Sequence, residues 1–344
     1  MKEFRVSDLK GNEILAKAIY LEDGQMLLKP GTVLKKTYKE SLASLNVCRV
    51  FVEDSFERYE NSNYCIEFEK IEDFKKKLED IISHHIYKDN KGLQKVCDLA
   101  EALLSEVDSA WKKDTRVLDV KERETDIYEH SIYTTILMLI VALKCKFTRE
   151  ECKQIAIGGL LHDLGFRYVN VDYCECCVKN MTAAELFELK KHTILAYTAL
   201  EREPWISDLS RAMILSHHEK LDGSGYPLKQ KNKEKECRLI QICDTFDMAM
   251  CGMECSKHSI EDVMQEISDE SKYDQRFAEM LKGIVGRYPV SSFVKMNDGK
   301  DAIVVEQTED PFRPRIIYQE DLENSSTQIY DLSKEDTKKI CGFI

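Results

Sequence analysis

The chain has 344 residues, 43% apolar and 33% charged, a balance that fits a folded globular protein and excludes a disordered one. With 50 basic and 62 acidic side chains its formal charge is −12. That excludes a surface built to coat a nucleic-acid polymer, which needs a basic stripe, and leaves a small phosphate ligand in a pocket open.

At about 100–200 residues per domain the length suggests two or three domains, large enough to fold without a disulfide or metal staple. Met1-Lys2-Glu3-Phe4-Arg5 is charged where a secretory signal carries its apolar core. The longest apolar-rich run, Ile132 to Leu143, is shorter than the roughly 20 residues that span a bilayer. A cytoplasmic protein is expected, with no membrane partner.

Residues 1–56 read as a small β-rich unit. Ala18 to Leu21, an Asp23-Gly24 turn and Met26 to Leu28 form a hairpin signal, Pro30-Gly31 marks a second turn, Lys36 to Leu45 has helical spacing, and Cys48 to Val52 closes as a strand. Residues 57–124 form a helical linker region. Within it, Ile66 to Trp111 carries Lys, Glu and Leu at helical spacing and fits amphipathic helices packed on neighbours or on a second copy. Residues 125–285 are almost wholly helical, with helices predicted at 127–145, 149–163, 183–200, 205–218, 237–250, 260–268 and 274–285. Residues 286–344 form a tail whose Ser292 to Val305 stretch, turning at Asn297-Asp298-Gly299, predicts a hairpin. The fold class is mainly α. The 13 cysteines are scattered through predicted helices and read as reduced, buried small hydrophobes. Cys174, Cys176 and Cys177 crowd together without the second pair a structural zinc site uses, and read as a loop or packing group.

Five of the eight histidines fall between His130 and His218, at helix positions or helix ends: His130, His162, His192, His217 and His218. A lone histidine on an apolar helix is usually a satisfied core residue. The set differs, because imidazole and carboxylate (Asp163 beside His162, and Asp244) are ligands that divalent metals favour. A carboxylate beside an imidazole can bridge two cations about 3.5–4 Å apart. In His217-His218-Glu219-Lys220-Leu221-Asp222-Gly223-Ser224-Gly225-Tyr226-Pro227, two histidines end a helix, an Asp-Gly pair turns the chain, and Gly225 permits close backbone approach. Pro227 stiffens the chain just after Tyr226. His84, His85 and His258 read as surface or linker residues.

This ordered set resembles the HD-GYP subgroup of HD-domain metal-dependent phosphohydrolases, which degrade cyclic di-GMP. His130-Ser131 matches the first ligand position, Leu161-His162-Asp163-Leu164-Gly165 the namesake motif, and Lys191-His192-Thr193 the middle histidine. His217-His218 and Gly225-Tyr226-Pro227 match the late signature and Asp244 the final carboxylate, all in the family's order across about residues 125–285. The resemblance implies an all-helical HD-type core that hydrolyses a cyclic dinucleotide through a metal-bridged water, with His162 and Asp163 catalytic. His130, His162, Asp163 and Asp244 would hold one cation. His192, His217 and His218 would hold the second, with Asp163 shared. Gly225, Tyr226, Pro227 and Lys220 would shape the nucleotide pocket. Iron or manganese is the implied metal. A third cation would use Asp126, one turn before His130, whose alternative reading is a helix-terminus charge favoured by the dipole. A homodimer or a signalling partner completes the expectation.

The chain departs from the family at three places. Phe166 stands where Lys is usual; Arg167 follows immediately, but one residue along a helix or turn points elsewhere. Tyr168 to Cys177 lacks the usual Pro and Gly. Met248 to Lys257 lacks the usual arginine-containing phosphate-binding segment. These departures leave open a catalytically weak binding or signalling module, or an HD phosphohydrolase for another nucleotide.

Overall fold

A computed structural model describes residues 2–6, 13–20, 26–35, 37–45, 47, 49–52, 66–87, 92–113, 116–120, 123–174, 180–231, 234–323 and 328–344. The chain forms two compact units, Met1–Ser62 and Asn63–Ile344.

In the first unit β1 (Lys2–Arg5) pairs antiparallel with β6 (Arg49–Val52), β2 (Glu13–Ile14) with β5 (Val33–Leu34), and β3 (Ile19–Tyr20) with β4 (Met26–Leu28); α1 spans Tyr38–Ser44. Leu15, Leu34, Leu42, Val50 and Val52 form its core. The 19–28 hairpin is present, while its Asp23-Gly24 turn lies outside the described residues.

The second unit is a helical bundle with a sheet at its C-terminal end. The amphipathic stretch resolves into α2 (Phe68–Ser83) and α3 (Val96–Lys113), then come α4 (Ile127–Lys144), α5 (Arg149–Leu161), α6 (Ala183–Leu200), α7 (Asp208–Ser216), α8 (Lys235–Cys251), α9 (Ile260–Glu266) and α10 (Gln275–Lys282). Helix α4 is the centre: it packs on α2, α3, α5 and α8. It is apolar because nearly all sides of it meet protein. At 18 residues it is longer than the run seen in the sequence and, by length and composition alone, could cross a bilayer; 72% of it is buried inside the bundle. Fully buried side chains such as Ile132, Met138, Phe246 and Phe277 each contribute about 1.5–3 kcal/mol of transfer free energy.

Caps fix where the site-bearing helices start. Thr148 and Thr182 each accept the backbone N–H three residues on, from Glu151 and Glu185, and those glutamates accept the cap N–H in return. Helix α5 ends at Leu161, leaving His162 and Asp163 on the turn before a 3₁₀ segment, Leu164–Tyr168. The tail is more than a hairpin. Its β7 (Phe293–Met296) and β8 (Asp301–Glu306) sit inside a five-stranded antiparallel sheet with β9 (Arg315–Tyr318), β10 (Tyr330–Asp331) and β11 (Ile340–Phe343), ordered β10-β9-β8-β7-β11; a short α11 (Gln319–Glu323) follows β9. Asp119 ties this sheet to the bundle by accepting from the Val290 N–H at 2.7 Å and Gln307 Nε2 at 2.8 Å.

Candidate metal centre

Five histidines and two aspartates, carried on three helices and two helix-ending turns, converge at the middle of the bundle. His130 lies one turn into α4, His162 and Asp163 follow α5, His192 is on α6, His217 and His218 follow α7, and Asp244 is on α8. All are buried. Three of the rings are fixed the same way. Nδ1 of His162, His192 and His217 lies 2.7, 2.7 and 2.8 Å from the carbonyls of Gly159, Leu189 and Ile214, each three residues back. A carbonyl can only accept, so Nδ1 carries the proton and the neutral ring turns an Nε2 lone pair inward.

Those lone pairs meet. His162 Nε2 is 3.2 Å from His130 Nε2, and His192 Nε2 is 3.1 Å from His217 Nε2. Asp163 faces both pairs with different oxygens. Its Oδ2 is 3.2 Å from His162 Nε2 and 3.5 Å from His130 Nε2. Its Oδ1 is 3.6 Å from His217 Nε2 and 3.7 Å from His192 Nε2. Asp244 Oδ1 is 3.1 Å from His130 Nε2, and its Oδ2 is 3.6 Å from His218 Nδ1. Asp163 Oδ1 and Asp244 Oδ2 are buried with no hydrogen-bond partner. Lone pairs in contact and orphaned carboxylate oxygens need a proton or a cation among them, and imidazole plus carboxylate is a donor set for a divalent metal. The residues fit such an ion.

Without a cation, a proton fills that role at His162: burial opposes charge on the ring, but Asp163 and Asp244 outweigh it and lift it to about 10, so a metal would displace this proton. Burial likewise opposes both aspartates, yet the facing imidazoles hold them well below the usual carboxylate range. His217 is brought down to about 4 by burial and then by His218, so its lone pair stays available.

Two neighbours escaped the sequence reading. Asp247 Oδ2 sits 2.8 Å from His130 Nδ1, and Arg123 Nη2 donates to both Asp247 oxygens at 2.7 and 2.8 Å while its guanidinium lies 3.9 Å over the Tyr133 ring. The signal was present, since Asp247 follows Asp244 by three residues and shares its helix face. Because Asp247 fixes the tautomer and tilt of His130, Asp247→Asn is expected to weaken manganese binding about 10–100-fold. A manganese titration of the folded variant would read this, and unchanged affinity would rule the role out. The second neighbour is Glu254, whose Oε1 is 3.1 Å from His218 Nε2 and whose Oε2 accepts the Tyr226 hydroxyl at 3.0 Å.

The loop residues divide. A Cβ on Gly225 would fall 2.3 Å from the His218 carbonyl oxygen, so only glycine lets the loop lie on that backbone. Tyr226 then stacks on His218 at 4.6 Å, with Pro227 next in the chain. Lys220 turns to Tyr273 instead, donating to its hydroxyl at 2.6 Å, and burial brings its ammonium down to about 8. Asp126 stands apart from the converging groups: its Oδ1 caps α4 through the Tyr128 and Glu129 N–H groups at 3.0 and 2.9 Å, and its Oδ2 pairs with Lys75 at 2.8 Å. Phe166 stacks on His192 with ring centres 4.1 Å apart. Arg167 does not replace the lysine expected there, since it donates to the Ser83 carbonyl at 2.9 Å. His85, expected at the surface, is buried against Tyr168, whereas His84 and His258 are exposed. Cys176 and Cys177 lie outside the described residues.

An HD-domain family model matches residues 98–277, just over half of the chain. The cyclic di-GMP phosphodiesterase PA4108 of Pseudomonas aeruginosa is 26% identical over 192 residues, 55% of this chain and 46% of that protein. The cyclic di-GMP phosphodiesterase PdeB of Borreliella burgdorferi is 27% identical over 198 residues, 55% of this chain and 51% of that protein. The chain thus spans about half the length of these curated relatives. Among solved structures, Bd1817, an HDG"Y"P protein from Bdellovibrio bacteriovorus, superposes with a TM-score of 0.50 at 14% identity, covering 81% of this chain and 97% of that one, a likeness of fold. With the family match running over the helices that carry all five histidines, the chain belongs to the HD-domain family.

Proposed function

We propose that the chain is a metal-dependent phosphodiesterase hydrolysing cyclic di-GMP or a related cyclic dinucleotide. The observation that carries this reading is Asp163, whose two oxygens face two separate imidazole pairs, the arrangement of a carboxylate shared between two cations. His130, His162, Asp163 and Asp244 would hold one cation, and His192, His217 and His218 the other, with Asp163 common to both. Two ions are the expected number. Iron or manganese suits the donors, because among the described residues no thiolate joins the inward-facing set: Cys251 Sγ lies 3.9 Å from His130 Nδ1, behind the ring. Bound there, the metal pair would supply an activated water and neutralise charge developing on a phosphodiester oxygen.

The protein's own groups do the rest. Asp163 and Asp244 stay ionised, and the backbone-fixed rings keep their Nε2 atoms aimed without reorganisation. Tyr226, held on the glycine loop, forms an aromatic wall over His218 for a nucleotide to meet. The nine described cysteines with assigned state are all free thiols, which fits the reducing cytoplasm.

A second reading is supported by Phe166 covering His192 and by Glu254, which brings a carboxylate where the family has a basic segment. Both would weaken phosphate binding and favour a module that binds without cleaving. Manganese-loaded protein incubated with cyclic di-GMP separates the two. Linear dinucleotide or GMP by chromatography is the expected result. Intact dinucleotide bound without product would support the second reading, and neither binding nor product would point to another nucleotide.

A further inference from the structure

We infer that Glu254 is a further ligand of the cation subsite formed by His192, His217 and His218, with the Tyr226 hydroxyl as its positioning donor. The inference rests on the reading of the cluster as a metal centre and deepens it.

Geometry carries the argument. Glu254 Oε1 lies 3.1 Å from His218 Nε2 and 3.7 Å from His192 Nε2, while His192 Nε2 is 3.1 Å from His217 Nε2. Donors bonded to one cation at about 2.1 Å stand roughly 3.0–3.4 Å from each other at cis or tetrahedral positions, so these separations are close to the edges of one coordination polyhedron. Since His192 Nδ1 is bonded to the Leu189 carbonyl, its Nε2 presents a lone pair, and Glu254 presents another. Two acceptors aimed at one point are reconciled by a cation between them.

The backbone is shaped to deliver this carboxylate. Helix α8 stops at Cys251, Gly252 takes φ +72°, and Glu254 itself adopts φ +55°, a left-handed conformation that a side-chain-bearing residue adopts at a cost. The turn is held from outside by an antiparallel bridge of Met253 to Cys174 and by the Glu254 N–H donating to the Tyr173 carbonyl at 2.7 Å. Inside, Glu254 is buried, and Oε2 accepts from Tyr226. A buried carboxylate kept on a strained backbone, with imidazoles at one oxygen and a phenol at the other, is built as a ligand more than as a packing residue. The subsite it completes would hold its cation more tightly and would leave less room for a substrate phosphate.

The test is manganese(II) binding to the full chain after chelator treatment, with metal content read by mass spectrometry and affinity by titration. Wild type is expected to take two ions. Glu254→Gln should keep the first and weaken the second by more than the roughly 10–100-fold that changes in outer groups cause, and Tyr226→Phe should weaken it less. A folded Glu254→Gln protein with two ions at wild-type affinity would overturn the inference while leaving the metal centre standing. Wild-type protein that takes no manganese would overturn the metal centre itself. Should Glu254→Gln not fold, anomalous scattering from manganese-loaded wild-type crystals decides: an oxygen of Glu254 about 2.0–2.2 Å from one ion is expected, and a carboxylate beyond bonding distance overturns it.

Discussion

Asp163→Ala should lose at least about 10³-fold of the proposed phosphodiesterase activity and should no longer bind two cations. The size follows from the position of the residue. Its Oδ2 faces His130 and His162 while its Oδ1 faces His192 and His217, so one truncation removes a donor from both subsites. A metal's contribution to transition-state charge is several kcal/mol, and about 4 kcal/mol corresponds to roughly 10³ in rate. Stability separates this from simple unfolding. In chelator the buried His162 is held protonated chiefly by Asp163, so removing Asp163 should itself lower the melting temperature, and the comparison that counts is the gain on adding metal. With manganese at about 100 times its dissociation constant, wild type gains about 2.7 kcal/mol, and the variant should gain far less. Paired thermal melts with and without manganese, beside product analysis, check both halves. Equal manganese stabilisation of the two proteins would remove Asp163 from the centre.

The parts of this centre that were legible in the sequence are those set by residue type and chain order. His162-Asp163 and His217-His218 stand just past the ends of α5 and α7, where apolar periodicity breaks, and Asp244 sits on a helix face that the spacing reveals. Glu254 was not legible, because its aim depends on no local pattern. Gly252 ends α8, and a backbone bridge to Cys174, almost 80 positions earlier, turns the next residues inward. Read linearly, Met248 to Lys257 looks like a soft segment without phosphate-binding charge. The fold makes it a donor of negative charge to the site. His85 was misplaced for the same reason, since it is fixed by contacts between the Leu164–Tyr168 turn and the end of α2. In the tail, the β7–β8 hairpin announced itself by its Asn-Asp-Gly turn. The edge strands β10 and β11 are two and four residues long, half-exposed, and owe their existence to the strands beside them.

Gly165→Ala should be the most damaging single-methyl change in the helical unit. A Cβ there would stand 1.8 Å from the His192 carbonyl oxygen and 2.8 Å from its Cα, and these are backbone atoms that cannot rotate aside. The turn after Asp163 would have to part from α6, and that parting separates the two halves of the centre. Overpacking typically costs about 1–3 kcal/mol where side chains can give, so a collision with backbone should cost about 3 kcal/mol or more. At roughly 2–4 °C per kcal/mol for a domain near this size, the melting temperature should fall by on the order of 10 °C. Manganese binding should weaken with it, because His192 and Asp163 lie on opposite sides of the contact. Gly342→Ala is the matched control: nothing lies within 4 Å of its Cβ position, so its effect should stay within about ±0.5 kcal/mol. Comparing the two variants by thermal denaturation isolates the contact from the generic cost of replacing glycine. If Gly165→Ala melts with Gly342→Ala, the turn does not press on the His192 backbone and the site is not held together there.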